Sequence, residues 1–456
     1  SREHESITSA MPAGAHYSGR GRTRGRSLAL ALLVVVAPQV VRTAWPSAGS
    51  RLSVTRARAS PVAAARRASS APQPDPYELV RDDIKEMKGR LREVAMLKAG
   101  KGAKGAAASQ PVLTMAVQEF LKRPGKSFRP MVVILAGRMA CEAAAGLEVD
   151  ENQSAEVREK HMRLAELTEM MNIASIIHDD VLDDSGNPEA EEEDESASRP
   201  EVVPSSVGEE DAEHKHNHAA AAGGGGGGNI VHKMYSANVG NKVSILAGDF
   251  LLARAAVELA QLRHPTVVEI MAGALEAIVR GGMLRSEGLM PGHLTLDSYR
   301  TRVQAKTAQL LANACQCSAL LAGHSVGDKV ALNFESLGLN IGMAYQVMND
   351  LRAFNSSVLA GVADDASPLG GVPSAVLLLA LEAEPSLETL IMRNAALPGD
   401  AEAVAKIVHQ TKAVEATVEL AQSYVDGALA ALESMPECEA REGLVNLCHG
   451  LMTSSD

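Results

Sequence analysis

From residue 75 to about residue 384 the chain repeats apolar positions three or four residues apart, the period of helices, rather than the period of two that marks strands. "DPYELVRDDIKEMKGRLREVAML" reads as a first helix, with Asp75 or Asp82 suited to its N-terminal end, and "KAGKGAKGAAAS" as the linker after it. Helices are then predicted over about 111–141 and 156–182. Further on, "NKVSILAGDFLLARAAVELAQL", "TVVEIMAGALEAIVRGGML", "LDSYRTRVQAKTAQLLANACQCSALLAG", "FESLGLNIGMAYQVMNDLRAF" and "VPSAVLLLALEAE" carry the same period. Ala, Leu, Met and Glu recur in long runs and β-branched clusters bounded by turn residues are scarce, so the expected class is all-α. None of these runs is apolar for long enough to span a bilayer.

Two stretches break the pattern. Residues 6–74 contain no Asp or Glu, while arginines recur among Ala, Ser, Gly and Pro. Within them, "RGRTRGRSLALALLVVVAP" sets a basic run before a short apolar core, as in a signal peptide, and "SAGSRLSVTRARASPVAAARRASSAP" has the Ser/Ala/Arg bias of a transit peptide. Residues 1–74 are therefore expected to be a disordered targeting presequence. It is either a bipartite address for a plastid with extra membranes or a single mitochondrial presequence. Ser1 is not an initiator methionine, so the start is Met11 or lies outside the sequence. A single domain is expected over 75–456, broken at about 187–229 by "EAEEEDE", then "HKHNH", then glycines from Gly223 to Gly228. That insertion lacks the apolar surface that ordering requires and is expected to be disordered. His214, His216 and His218 alternate within it, but histidines in such a tract seldom bind metal specifically.

With 456 residues, 46% of them hydrophobic, the chain is long enough to bury a large core. Its net charge of −12 speaks against a nucleic-acid partner, which calls for a basic stripe. The five cysteines are an odd, scattered set without zinc-site spacing, which points to a reducing compartment. Cys315 and Cys317 point about 200° apart on a helix and read as packing residues.

Candidate chemistry begins at "NIASIIHDDVLDDSG", where an apolar helix ends in four aspartates. Asp179 sits above Asp183 and Asp180 above Asp184, and like charges four apart cost roughly 0.2–0.5 kcal/mol per pair. Such a cluster becomes favourable around a hard cation, and Mg²⁺ is typically held by one or two carboxylates together with substrate phosphates. The alternative is a solvated acidic helix end running into the acidic insertion. A second feature favours the ligand reading: in "RPGKSFRPMVVILAG", Lys126 and Arg129 lie three apart at the start of a strongly apolar helix, as a diphosphate clamp requires.

In order along the chain, "GKSFRP", "IIHDDVLDD", "GNKVSILAGDFLLARA", "AKTAQLLANAC" and "GMAYQVMNDLRAF" resemble the motifs of the trans-prenyl (polyprenyl) diphosphate synthases, over about residues 111–382, and are similar to those of solanesyl- and geranylgeranyl-type members. The resemblance implies a single bundle of long helices around a deep central cavity, usually in a dimer. It implies Mg²⁺-dependent, head-to-tail condensation of isopentenyl diphosphate with an allylic diphosphate, as in isoprenoid synthesis. Asp179, Asp180 and Asp183 would hold Mg²⁺, and Lys126, Arg129 and Asn172 would hold isopentenyl diphosphate. Lys306, Thr307, Gln346 and Asp350 would line the allylic side. Ala174 and Ser175, about one turn before the aspartates, would form the floor that limits chain length; both are small, which suits a deep tunnel or, equally, tight helix packing.

The likeness has gaps. Where active members carry a second DDxxD, this chain reads Asn349, Asp350, Leu351, Arg352, Ala353. Pro188 and Glu189 stand where relatives have two arginines, Asn172 replaces a His or Gln, and Gly361-Val362 replaces a Gly-Lys pair. Each lost charge-assisted contact to a buried phosphate is worth roughly 1.5–3 kcal/mol. Two readings remain: a divergent synthase, in which a basic residue such as Arg199 substitutes for the missing pair, or a catalytically weak subunit that partners an active relative as a heterodimer.

Overall fold

The computed structural model describes residues 74–95, 127–144, 151–184, 237–286, 292–356 and 372–453. All of them fall in one unit, Ala71–Asp456, and every regular element among them is a helix. The presequence, Lys126 and the insertion at 187–229 lie outside the described residues, as do the side chains of Asp183 and Asp184.

The chain opens with α1 (Pro76–Leu79), for which Asp75 supplies the predicted cap by accepting from the Tyr77 N–H at 2.8 Å, and α2 (Arg81–Ala95). Next come α3 (Phe128–Ala143) and α4 (Glu151–Asp184), a helix of 34 residues that begins earlier than its sequence pattern suggests. The bundle continues with α5 (Ala237–Gln261), α6 (Pro265–Ser286) and α7 (Leu296–Val303). The run predicted as one helix over 296–323 is interrupted by a π-turn, Gln304–Ala308, before resuming as α8 (Gln309–Leu321). Helix α9 (Lys329–Phe354) follows, then α10 (Ala375–Ala383). Four helices not anticipated from the motifs complete the fold: α11 (Leu387–Met392), α12 (Asp400–Thr411), α13 (Ala413–Glu433) and α14 (Glu439–Thr453).

Helix α8 is the axis of the bundle. Every residue from Leu310 to Leu321 is buried, and α3, α4, α6 and α9 surround it. A helix apolar on all sides has nowhere else to go, and its few polar side chains are satisfied inside. Asn313 donates to the Ile270 carbonyl at 2.7 Å, Gln316 to Glu335 at 2.9 Å, and Ser318 to the Ala314 carbonyl at 3.1 Å. Cys315 and Cys317 are buried, unbridged packing residues whose thiols burial pushes up from their ordinary value. The main core around α8 includes Leu135, Leu167, Ile177, Leu251 and Phe334; burying each such side chain is worth about 1.5–3 kcal/mol. A second core of Tyr299, Val347, Leu351, Leu377, Val404 and Val408 joins α7, the C-terminal half of α9, α10 and α12.

Close helix approach depends on glycine. On α9, Gly338 and Gly342 stand one turn apart. A Cβ on the first would run into the Leu311 carbonyl, and one on the second would lie 2.7 Å from the Ala308 Cα. Gly281 of α6 meets the π-turn from the other side, where a Cβ would lie 2.6 Å from the Lys306 nitrogen. At the opposite end of the bundle, buried Asp83 on α2 takes both Arg138 of α3 and Arg158 of α4, the latter at 2.8 Å.

Candidate active site

Three helix segments meet near the C-terminal end of α4. Asp179 lies there, half-buried, and the Lys306 Nζ donates to its Oδ1 at 2.5 Å. Lys306 stands in the middle of the π-turn, where the Gln309 N–H reaches back five residues to the Gln304 carbonyl. Such a turn inserts one residue into the helical register and is frequent at functional sites. Here the backbone is pinned between Gly281 and Gly342, which fixes the lysine opposite the aspartate.

Beyond Lys306 the contacts continue as a hydrogen-bonded line. Thr307, buried, donates to the Gln346 Oε1 at 3.2 Å; the Gln346 Nε2 donates to the Asp350 Oδ1 at 2.7 Å; and the Tyr299 hydroxyl donates to the Asp350 Oδ2 at 2.7 Å. The Arg302 guanidinium lies 5.4 Å over the Tyr299 ring and donates to the Pro373 carbonyl at 2.8 Å. Burial pushes the Asp350 carboxyl up from its ordinary value, while the hydrogen bonds from Tyr299 and Gln346 and the charge of Arg302 pull the other way. Burial, with Asp350 beside it, lifts the Tyr299 hydroxyl well above the usual phenol range.

Arg129 reaches the same region from α3. Ser127, at φ 49°, turns the chain into that helix, Phe128 stacks on Tyr345 with ring centroids 4.2 Å apart, and Arg129 lies 5.9 Å over the Tyr345 ring. Tyr345 directly precedes Gln346, so the apolar start of α3 and the polar face of α9 are neighbours. On α4, Glu169 is pushed up by burial, against the pull of Arg129 and Lys88.

Asp179, Lys306, Thr307, Gln346 and Asp350 are thus gathered in one line, with Arg129 beside it. Asn172 is half-buried two turns before Asp179, Asp180 is buried, Ala174 is packed in the core and Ser175 is half-buried. His178, just before the aspartates, approaches the Ile245 carbonyl at 3.3 Å and Asp249 at 3.5 Å, which ties this end of α4 to α5. Tyr299, Arg302 and Tyr345 escaped sequence reasoning. The available signal was that aromatics make up only 3% of the chain, and two of them sit seven residues before Lys306 and one before Gln346.

The α4 end carries adjacent carboxylates on one helix end, the oxygen donors a hard cation takes, although Lys306 now occupies one oxygen of Asp179. The α9 end does not carry such a pair. Among the described residues no three carboxylate, imidazole or thiol groups converge as a metal site, at the α4 end or the α9 end, and the Asp183 side chain lies outside those residues. Asn349 accepts from the Arg352 Nη1 at 3.1 Å, Ala353 has no ligating atom, and both Asp350 oxygens are engaged. Arg352 turns toward α14, donating to the Leu451 carbonyl at 3.2 Å.

An all-helical bundle with an aspartate-rich helix end facing a Lys-Thr turn is consistent with the resemblance drawn from the sequence, and comparison with known proteins identifies the family. The polyprenyl synthetase family matches residues 110–187 and 227–411, leaving out the stretch that holds the acidic tract and most of the glycine run. The mitochondrial solanesyl-diphosphate synthase 1 of Oryza sativa subsp. japonica is 30% identical over 403 residues, covering 84% of this chain and 80% of that protein. The decaprenyl-diphosphate synthase of Dictyostelium discoideum is 29% identical over 347 residues, covering 76% of this chain and 63% of that protein. The apo structure of an Arabidopsis medium/long-chain prenyl pyrophosphate synthase superposes with a TM-score of 0.57 at 26% identity, over 84% of this chain and 100% of that one. The chain belongs to the polyprenyl synthetase family.

Proposed function

We propose that the protein condenses isopentenyl diphosphate with an allylic diphosphate into a longer polyprenyl diphosphate. The single observation that carries this reading is the 2.5 Å contact between Lys306 and Asp179, which joins the aspartate-rich helix end to the Lys-Thr turn across 127 positions of sequence. Asp179, Asp180 and Asp183 would hold Mg²⁺, which when bound supplies positive charge against the leaving diphosphate. Lys306 is poised to exchange its carboxylate partner for a phosphate oxygen, with Thr307 and Gln346 as further donors. Lys126, Arg129 and Asn172 would orient isopentenyl diphosphate so that its double bond attacks the allylic carbon as diphosphate departs; loss of a proton then completes the added isoprene unit. Ser175, small and half-buried, would leave room for a medium or long product, whereas Ala174 is packed in the core, as tight helix packing requires.

The state of α9 favours a second reading, a catalytically weak subunit that partners an active relative, because Asn349 and Ala353 leave only one carboxylate there. In either case pairing with a second chain is supported by α5 and α6. Leu246 and Val257 stand three turns apart on α5, Val279 and Met283 one turn apart on α6, and all are exposed, Met283 by 62%. Targeting by residues 1–74 to a plastid, or alternatively a mitochondrion, accords with relatives named for both organelles. A fluorescent fusion of residues 1–80 that stays cytosolic would remove that part of the proposal.

The test is incubation of the purified chain with labelled isopentenyl diphosphate, an allylic primer and Mg²⁺. Longer product from the chain alone supports the synthase. No product alone, but an altered product from an added active relative, selects the subunit. No effect in either assay overturns both.

A further inference from the structure

We propose that Asp350 is a positioning residue rather than a metal ligand: through Gln346 it orients the donors of the allylic side, and metal binding is left to the carboxylates of α4. The inference rests on the prenyl-transfer reading above. A carboxylate serving a hard cation needs an open oxygen face and, usually, a second carboxylate or a phosphate to share the charge. Asp350 has neither partner on its own helix, since position 349 is an amide occupied by Arg352 and position 353 is alanine. Its two oxygens accept from Tyr299 and Gln346, each at 2.7 Å. Its charge is met within the protein by Arg302, half-buried over the Tyr299 ring, and that guanidinium would repel an arriving cation.

The positioning role follows from the donor inventory. Gln346 has two N–H donors and one carbonyl oxygen. Asp350 takes one N–H, which forces the carbonyl toward Thr307 and aims the second N–H in one direction. Without the carboxylate the amide is free to flip, and Thr307 loses its acceptor in half of the resulting orientations. Tyr299, anchored in the second core, holds the carboxylate in turn.

The experiment uses the full chain, with Mn²⁺ and inorganic diphosphate as probes: bound Mn²⁺ is counted from the loss of its free resonance signal, and diphosphate affinity is measured by calorimetry. Asp350→Asn keeps an acceptor for Gln346 and a donor for Tyr299 but removes the charge. It is expected to bind as many Mn²⁺ ions as the wild type, with diphosphate affinity within about twofold. Asp350→Ala is expected to keep the metal count and weaken diphosphate by about tenfold, the scale of one lost charge-assisted constraint. Asp179→Asn is expected to lose metal. Loss of a Mn²⁺ ion in Asp350→Asn would overturn the proposal, as would unchanged diphosphate affinity in an Asp350→Ala protein that still melts cooperatively. A wild-type chain that binds no Mn²⁺–diphosphate would bring down the prenyl-transfer reading and this inference with it.

Discussion

Glu166 lies on α4 thirteen residues before Asp179, and only 6% of it is exposed. Its Oε1 stands 3.4 Å from the Arg90 Nε without a hydrogen bond, while the two other nitrogens of Arg90 serve Glu159 and Glu86. Burial, against the opposing pull of Arg90, pushes the carboxyl from 4.5 up to about 7. The folded state thus holds this proton more tightly than the unfolded chain, and stability falls as pH rises between those values. Below 4.5 both states are protonated and Glu166 makes no difference; above 7 the full cost is present, about 3 kcal/mol at 1.36 kcal/mol per pH unit. Glu166→Gln keeps the shape and removes the titration. Its melting temperature should match the wild type at pH 4.5 and exceed it by about 4 °C at pH 8, since a chain of this size gains only one or two degrees per kcal/mol. The assay is a pair of thermal melts across pH 4.5–8.5, read as the difference between the two proteins so that every other titrating group cancels. Parallel curves, or a difference that shrinks as pH rises, would refute the argument.

Lys306→Met should weaken the allylic diphosphate at least about tenfold while leaving isopentenyl diphosphate within about twofold, a split visible in KM for the two substrates. Gly342→Ala should destabilise by about 1–3 kcal/mol, because its Cβ would press on the Ala308 backbone; chemical denaturation measures the change. Deleting residues 187–229 should leave the thermal midpoint nearly unchanged, and strong hydrogen-exchange protection across that segment would contradict it.

The helices up to α10 were legible because each carries a long apolar period, and the aspartates because carboxylates four apart on one helix face call for a cation, whereas Lys306 and Gln346 were reached only through the family resemblance. The last four helices have a readable period too: Ala421, Val425, Ala428 and Leu432 follow one face of α13. Their joints also carry turn residues, Pro385-Ser386 before α11, Pro398-Gly399 before α12 and Pro436 after α13, with Gly399 at φ 88°. Only the joint between α12 and α13 lacks them, where Lys412 at φ 54° separates the two helices. The π-turn has no sequence signature at all. Nor does the Tyr299–Asp350 bond, which spans 51 positions and exists only because α7 and α9 share a core.

Asn349, Arg352 and Ala353 sit on half-exposed surface, where one side chain can be exchanged for another without moving a helix. Gly281, Gly338 and Gly342 have no such latitude, for any side chain there pushes on the backbone at or beside the turn that bears Lys306. In a drifting lineage the two kinds of position would age at different rates. Side chains at positions 349 and 353 can be exchanged at little structural cost, while the place of the lysine is held by steric exclusion from both sides. The location of the positive charge is therefore the slowest part of this site to change, and the side chains at positions 349 and 353 the fastest.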